Sequence, residues 1–287
     1  MAPTAEAAVP RPLQEEAPQT VIEPIKGWLS INWGDIWQYR ELLYFLTWRD
    51  VKVRYKQTVL GFLWAFIQPF TKMVVFSLIF GRLAKMDSEG FPYPIFLYAG
   101  LLPWQFFAGS LNRSSQSVVG SANLITKVYF PRLIIPLASV GAALVDFAIS
   151  FGILICLMLY YHVAPTLATF MVVPLVLLTV VTALGAGAFL SALTVAYRDF
   201  RHMIPFLVEI WMFLTPVVYA VTIVPNRWRW LICLNPMAGI VDAYRSAILG
   251  KPFDWGNLAI STGVALVAFL GSLVYFRRLE RQFADIV

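Results

Sequence analysis

The chain has 287 residues, 59% of them hydrophobic and only 13% charged, about half the roughly 25% charge of a soluble domain. That balance excludes an ordinary water-soluble globule. The formal charge of +6 does not indicate nucleic acid either, because the Lys and Arg residues collect at the ends of apolar runs, where they set membrane orientation and meet anionic headgroups.

Residues 1–27 hold five prolines, Pro3, Pro10, Pro12, Pro18 and Pro24, among Ala and Glu. Such a segment cannot bury enough apolar surface to order itself, so a disordered cytoplasmic tail is expected. The basic-then-apolar pattern of a signal peptide is missing at the start. Residues 28–58 read as an amphipathic interfacial helix on the inner leaflet. Ile36, Tyr39, Leu43, Leu46 and Asp50 follow a helical stripe, Trp37, Tyr44 and Trp48 suit the headgroup layer, and Asp35 with Gln38 resembles a capping box. The helix ends in RDVKVRYK, where Arg49, Lys52, Arg54 and Lys56 form a basic doorstep before a long apolar run.

Residues 59–287 read as a membrane domain of six spans. A helix needs roughly 20 apolar residues to cross about 30 Å of hydrocarbon, and 60–80, 95–117, 134–160, 167–195, 204–224 and 257–276 qualify. The connections on one side, which include Arg49, Lys127, Arg132, Arg198 and Arg277, carry twelve Lys and Arg residues against six on the other. The positive-inside rule therefore puts both termini in the cytoplasm. Between spans five and six, Asn235 as cap, Pro236 at the first position and Gly250 beyond the end delimit a helix over 236–249, too short to cross. Met237, Ile240, Val241, Tyr244 and Ile248 form its apolar face, and Asp242 and Arg245 are assigned to a solvated one. Another short helix is expected near 226–233. Ala183, Gly187 and Ser191, four apart, give the fourth span a close-packing face.

Three ionisable residues fall inside spans, where charge is expensive: Lys72, Asp146 and Glu209. Lys72 and Asp146 each lie twelve residues from the inner end of their span, which predicts an ion pair at about 18 Å depth; separate hydration of the two is the alternative. Arg113 is a candidate partner for Glu209. His162 and His202 read as loop residues at opposite membrane faces. No phosphate loop, HExxH or GxSxG motif is present, and Cys156 and Cys233 have neither metal nor disulfide spacing. No catalytic or metal-binding residue is assigned.

The stretches RDVKVRYKQTVLGFLWAFIQP (49–69), FPYPIFLYAGLLPWQFF (91–107), NLITKVYFPRLIIPL (123–137), YRDFRHMIPF (197–206) and LNPMAGIVDAYRSAILG (234–250) together resemble the permease subunit of ATP-binding-cassette polysaccharide exporters, which move lipid-linked O-antigen, capsular polysaccharide or teichoic acid. The resemblance covers about residues 28–287. It implies an all-α integral membrane protein of the bacterial inner membrane, forming a homodimer with two copies of a cytoplasmic ATPase that carries the ATP and Mg. The cargo it implies is an undecaprenyl-type lipid-linked polysaccharide. By position, Asn123, Lys127, Tyr129, Pro131 and Arg132 are implied as coupling contacts to the ATPase, with Arg198, Asp199 and Arg201 as a second set. The first and fifth spans are implied to line the path. Phe62, Trp64, Phe66 and Phe70 in the first and Trp211, Phe213 and Tyr219 in the fifth are the rings available to stack on sugars, about half of them expected to face it. Arg49, Lys52, Arg54 and Lys56 are candidates for attracting a pyrophosphate.

Competing classes are an ion-coupled secondary transporter using Asp146 or Glu209, a membrane-embedded enzyme, and a small-molecule exporter of the same superfamily. The sequence has neither the internal repeats of the first nor the acidic or histidine clusters of the second.

Overall fold

A computed structural model of the chain describes residues 33–56, 61–280 and 283. The expected tail over 1–27 and the first residues of the expected interfacial helix lie outside the described residues, as does the side chain of Phe62. All regular structure among the described residues is helical.

Among the described residues, two helices precede the first span, α1 (Trp33–Gln38) and α2 (Arg40–Lys56). Asp35 lies within α1 rather than ahead of it, and its side chain, on which the expected capping box rests, lies outside the described residues. The expected stripe is the packing face: Leu46 is buried, Ile36, Tyr39, Leu43 and Asp50 are half-buried, and Trp37, Tyr44 and Trp48 point outward. That face meets protein, because α2 packs on α6 (Ile134–Tyr160). A Cβ at Gly141 would stand 3.1 Å from Thr47, and Arg54 reaches Asp146. Seven residues of α2, about 10 Å, thus match five of α6, about 7.5 Å. The helix climbs beside α6 instead of crossing it.

The first span starts as a short 3₁₀ turn, continues as α3 (Trp64–Phe76) and closes with a π-helical turn, Ser77–Leu83. α4 (Tyr93–Gly120) is the hub, flanked by α6 and by α7 (Val172–Ala196), which in turn packs on α11 (Trp255–Glu280). Between α4 and α6 lies the one-turn helix α5 (Ala122–Ile125). Among the described residues, four helical runs are long and apolar enough to cross a membrane: Trp64–Leu83, Ile134–Tyr160, Leu167–Ala196 and Trp255–Glu280. They coincide with four of the six expected spans. α4 is long enough too, at 28 residues, but its second half is polar, and Ser110, Ser114 and Ser115 are buried against neighbours.

The fifth expected span departs most from expectation. Read as 204–224, it is α-helical only over α8 (Phe200–Leu214), 15 residues or about 22 Å, with a short 3₁₀ turn at Val221–Ile223. Thr215 turns extended and Pro216 follows, a pairing that ends helices. The non-helical strip beyond it is nonetheless buried, with Val217, Val218 and Ala220 at 3% exposure or less. α9 (Asn226–Cys233) and α10 (Pro236–Leu249) follow. Both short helices fall where the sequence placed them. The Asn235 side chain accepts from the Met237 amide at 3.1 Å, and Gly250 is left-handed at φ 71°, as a helix-ending glycine should be.

Close approach explains the small residues of α7. A Cβ on Gly187 would lie 2.7 Å from Ser114 Oγ of α4, and one on Gly185 2.8 Å from the Phe269 backbone of α11. Ala183 and Ser191 are fully buried.

Candidate functional site

α3 and α8 leave one face each uncovered by the rest of the chain. On α8, Ile204 and Val208 turn inward while Met203, Phe206, Ile210 and Phe213 are exposed. Glu209 is exposed among these apolar side chains, and Lys72 is exposed on α3. Of the rings expected to line a path, Trp64, Phe70 and Phe213 are 43%, 50% and 52% exposed. Phe66 is half-buried. Trp211 turns into the bundle, 5.1 Å from Phe107 and 6.3 Å from Trp104 between centroids, and donates to Asn235 Oδ1 at 3.1 Å. Tyr219 is half-buried, its hydroxyl toward the Phe213 carbonyl at 3.3 Å.

The intramembrane charges are partnered differently from expectation. Asp146 takes Arg113 at 2.7 Å and is also held by Arg54 and the Tyr55 hydroxyl. Lys72 forms no ion pair among the described residues, although it lines the same cavity as Asp146. Glu209 does not reach Arg113. The expected pairs failed because α2 rises along α6 and delivers Arg54 and Tyr55 to Asp146 first. Of the other doorstep residues, Arg49 pairs with Asp50 at 2.9 Å, and Lys52 and Lys56 are exposed.

The loop between α4 and α6 presents Asn123, Lys127 and Tyr129 to solvent, with Pro131 and Arg132 half-buried. Residues Ile125–Phe130 and Arg132 surround a concavity of about 210 Å³. The Arg132 amide donates to Glu280 Oε1 at 3.1 Å and its guanidinium to the Glu280 carbonyl, which fastens the loop to the end of α11. Arg198, Asp199 and Arg201, at the α7–α8 junction, are all exposed. His202 lies in the first turn of α8 rather than in a loop.

On the opposite end of the bundle, Arg245 overturns the expectation of a solvated face for α10. It is completely buried. Its guanidinium donates to the carbonyls of Val217 at 2.6 Å, Tyr219 at 3.1 Å and Phe96 at 3.3 Å, and stands 3.9 Å from the Phe96 ring. The strip after α8 has carbonyls that no helix satisfies, and Arg245 takes two of them. Tyr93 takes a third, donating to Val218 O at 2.6 Å. Gly100 makes the room, since a Cβ there would meet Arg245 Nη2 at 2.9 Å. Nearby, Lys251 pairs with Glu89, joining the loop after the first span to the loop after α10. Burial pushes the Lys251 pKa down, and Asp87 opposes it.

Sequence reasoning missed Arg54, Tyr55 and Arg113 as the partners of Asp146, Arg245 as a carbonyl clamp, and the Arg132–Glu280 tie. The Asp146 signal was present as a charge in an apolar run. Arg245 had a signal also, an arginine in a helix whose other residues are nearly all small or apolar.

Four membrane-length helices among the described residues, with broken helices between the last two of them, define a multi-pass membrane protein. Residues 41–249 match the family described as ABC-2 type transporter, and the chain belongs to that family. It is a membrane permease subunit, the part of an ABC transporter that lacks the ATPase domain. The O-antigen export system permease protein RfbA of Myxococcus xanthus is 31% identical over 254 residues, 88% of this chain and 97% of that protein. RfbA of Klebsiella pneumoniae is 28% identical over 248 residues, 86% and 95%. The polysialic acid transport protein KpsM of Escherichia coli is 24% identical over 241 residues, 81% and 91%.

Proposed function

We propose that the chain is the channel-forming subunit of an ATP-driven exporter that moves a lipid-linked polysaccharide, O-antigen foremost, across a bacterial inner membrane. Two copies form the path, and a separate cytoplasmic ATPase bound to each supplies ATP and Mg. The six spans are Trp64–Leu83, α4, α6, α7, α8 with the strip to Ala220, and α11, with both termini cytoplasmic. The observation that carries the reading is the exposure of Lys72 and Glu209 on membrane helices. Lipid-facing helices do not tolerate such charges, whereas a hydrated path between subunits does. Trp64, Phe70 and Phe213 offer rings there for the apolar faces of sugars.

ATP binding draws the ATPases together, and the loop at 121–133 passes that movement to α4, α6 and, through Arg132 and Glu280, to α11. α9 and α10 gate the outer exit. Similarity to KpsM favours capsular polysaccharide as the second reading. The test is purification from the host followed by mass spectrometry of what accompanies the chain. An ABC ATPase and a lipid-linked glycan are expected; a chain isolated without an ATPase, and active with a proton gradient alone, would refute the assignment.

A further inference from the structure

Lys72 on α3 and Glu209 on α8 are opposite charges on membrane helices, both exposed. Neither has an ion-pair partner among the described residues. Asp146 is not free to take Lys72, since Arg54, Tyr55 and Arg113 already hold it. Unpaired charge on a membrane helix is costly, and an ammonium and a carboxylate left over together are each other's natural partners.

Within one chain the two do not meet. α3 packs on α4 and α6, whereas α8 packs on α4 and α7. A cavity of about 540 Å³ has Gln68 and Lys72 of α3 in its wall, together with Met212 of α8. Lys72 follows Gln68 by four residues and Glu209 precedes Met212 by three, so each charge sits on the cavity side of its helix. The element that would close this side is missing from the single chain.

A two-fold axis along the membrane normal keeps every residue at its own height, so charges pair across two copies only if they are nearly level. A Cβ on Gly81 would stand 2.6 Å from the Tyr93 ring, which sets Gly81 beside the start of α4. Lys72 lies nine residues before Gly81 and Leu102 nine residues after Tyr93, which gives them one height on antiparallel helices. Trp211 rests against Trp104 and Phe107, and Glu209 is two residues nearer the N-terminus of α8. Glu209 therefore stands near the height of Phe107, about 8 Å from Lys72 in the direction of the N-terminus of α3. Side chains of α3 lean that way, and the four-carbon stem of a lysine takes up the difference.

We propose that Lys72 of each copy pairs with Glu209 of the other across the seam of a two-fold dimer, giving two identical ion pairs that flank the path. This rests on the proposal above that two copies form the path, and it states which faces meet. Those faces are otherwise apolar, with Phe70 and Val74 exposed on α3 and Phe206, Ile210 and Phe213 on α8. Apolar contact alone would allow α3 to meet α3, but that arrangement sets two ammonium groups together, whereas α3 against α8 of the other copy sets opposite charges together.

The test uses the full chain in liposomes, with Cys156 and Cys233 replaced by serine. Two differently tagged copies are co-expressed, one carrying Lys72→Cys and the other Glu209→Cys, and treated with a short thiol-reactive cross-linker that spans more than a direct disulfide can. The two tags should become joined. Val267→Cys, exposed midway along α11, should not join to Lys72→Cys. Separately, Lys72→Glu or Glu209→Lys sets like charges opposite each other in both pairs and should raise the dimer's dissociation constant about tenfold per pair, about a hundredfold in all. The double reversal should restore the parent value. Cross-linking no greater than with Val267→Cys, or a double reversal that rescues neither single variant, overturns the pair. A dimer indifferent to either single reversal overturns the pair alone and leaves the two-copy path standing, whereas a parent found to be monomeric overturns both.

Discussion

Arg245→Met should unlock the outer end of the bundle. The wild-type guanidinium is wholly buried and donates to three backbone carbonyls, at 2.6, 3.1 and 3.3 Å. Methionine fills much of the volume and supplies no donor. Leaving a buried acceptor unpaired costs about 1–3 kcal/mol, so three give roughly 3–9 kcal/mol before offset. Releasing the arginine from its buried position returns several kcal/mol of desolvation. The net loss is then about 3 kcal/mol, which for a chain of this size corresponds to a fall of about 6–12 °C in Tm. Arg245→Lys keeps the charge, but its single ammonium cannot match the planar fork, and an intermediate loss is expected. The assay is thermal unfolding of the purified protein in detergent, with exposed Arg227→Met as the control. Disulfide trapping between cysteines placed at 218 and 96 would report whether the strip has come loose. A Tm for Arg245→Met within about 2 °C of the parent would refute the clamp.

Asp146→Asn weakens the hold on Arg54, Tyr55 and Arg113 together, so trypsin should cut faster at Arg54 and Lys56; an unchanged cleavage rate would show that α2 does not depend on that carboxylate. Gly187→Ala places a methyl 2.7 Å from Ser114 Oγ and should destabilise by about 1–3 kcal/mol through overpacking, visible as a lowered Tm, whereas Gly120→Ala, in open space, should not. Glu280→Ala removes the carboxylate that accepts from the Arg132 amide and leaves only the guanidinium's bond to the carbonyl of residue 280, so the complex should keep its ATPase activity while export falls; equal export would separate this tie from coupling.

Long, strongly apolar segments were the most legible part of the chain, because a span must satisfy its own backbone and must be apolar over about 20 residues. Ile134–Tyr160 was read without error, and α10 was bracketed by its capping residues. The fifth expected helix was read too long because Val217, Val218 and Ala220 are as apolar as helix; composition does not reveal that Thr215 and Pro216 break the backbone. The burial of Arg245 had a signal in the small and apolar residues around it, but its role did not, since the carbonyls it serves exist only once the helix is broken. Asp146 was recognised as a costly charge and given the wrong partner. Equal depth on neighbouring spans is a weaker constraint than the path of α2, which hydrophobic periodicity alone could not distinguish from a helix lying flat.

The central claim is that this chain forms a path for a lipid-linked glycan and takes its power from another subunit. Proteoliposomes holding the chain with its cognate ATPase, loaded with lipid-linked polysaccharide in the outer-facing equivalent of the cytoplasmic leaflet, test it directly through ATP-dependent transfer of glycan into the lumen. Transfer should require both proteins and ATP, and the chain alone should hydrolyse none. Transfer by the chain alone under a proton gradient, or no transfer by the complete complex with ATP hydrolysis intact, would contradict it.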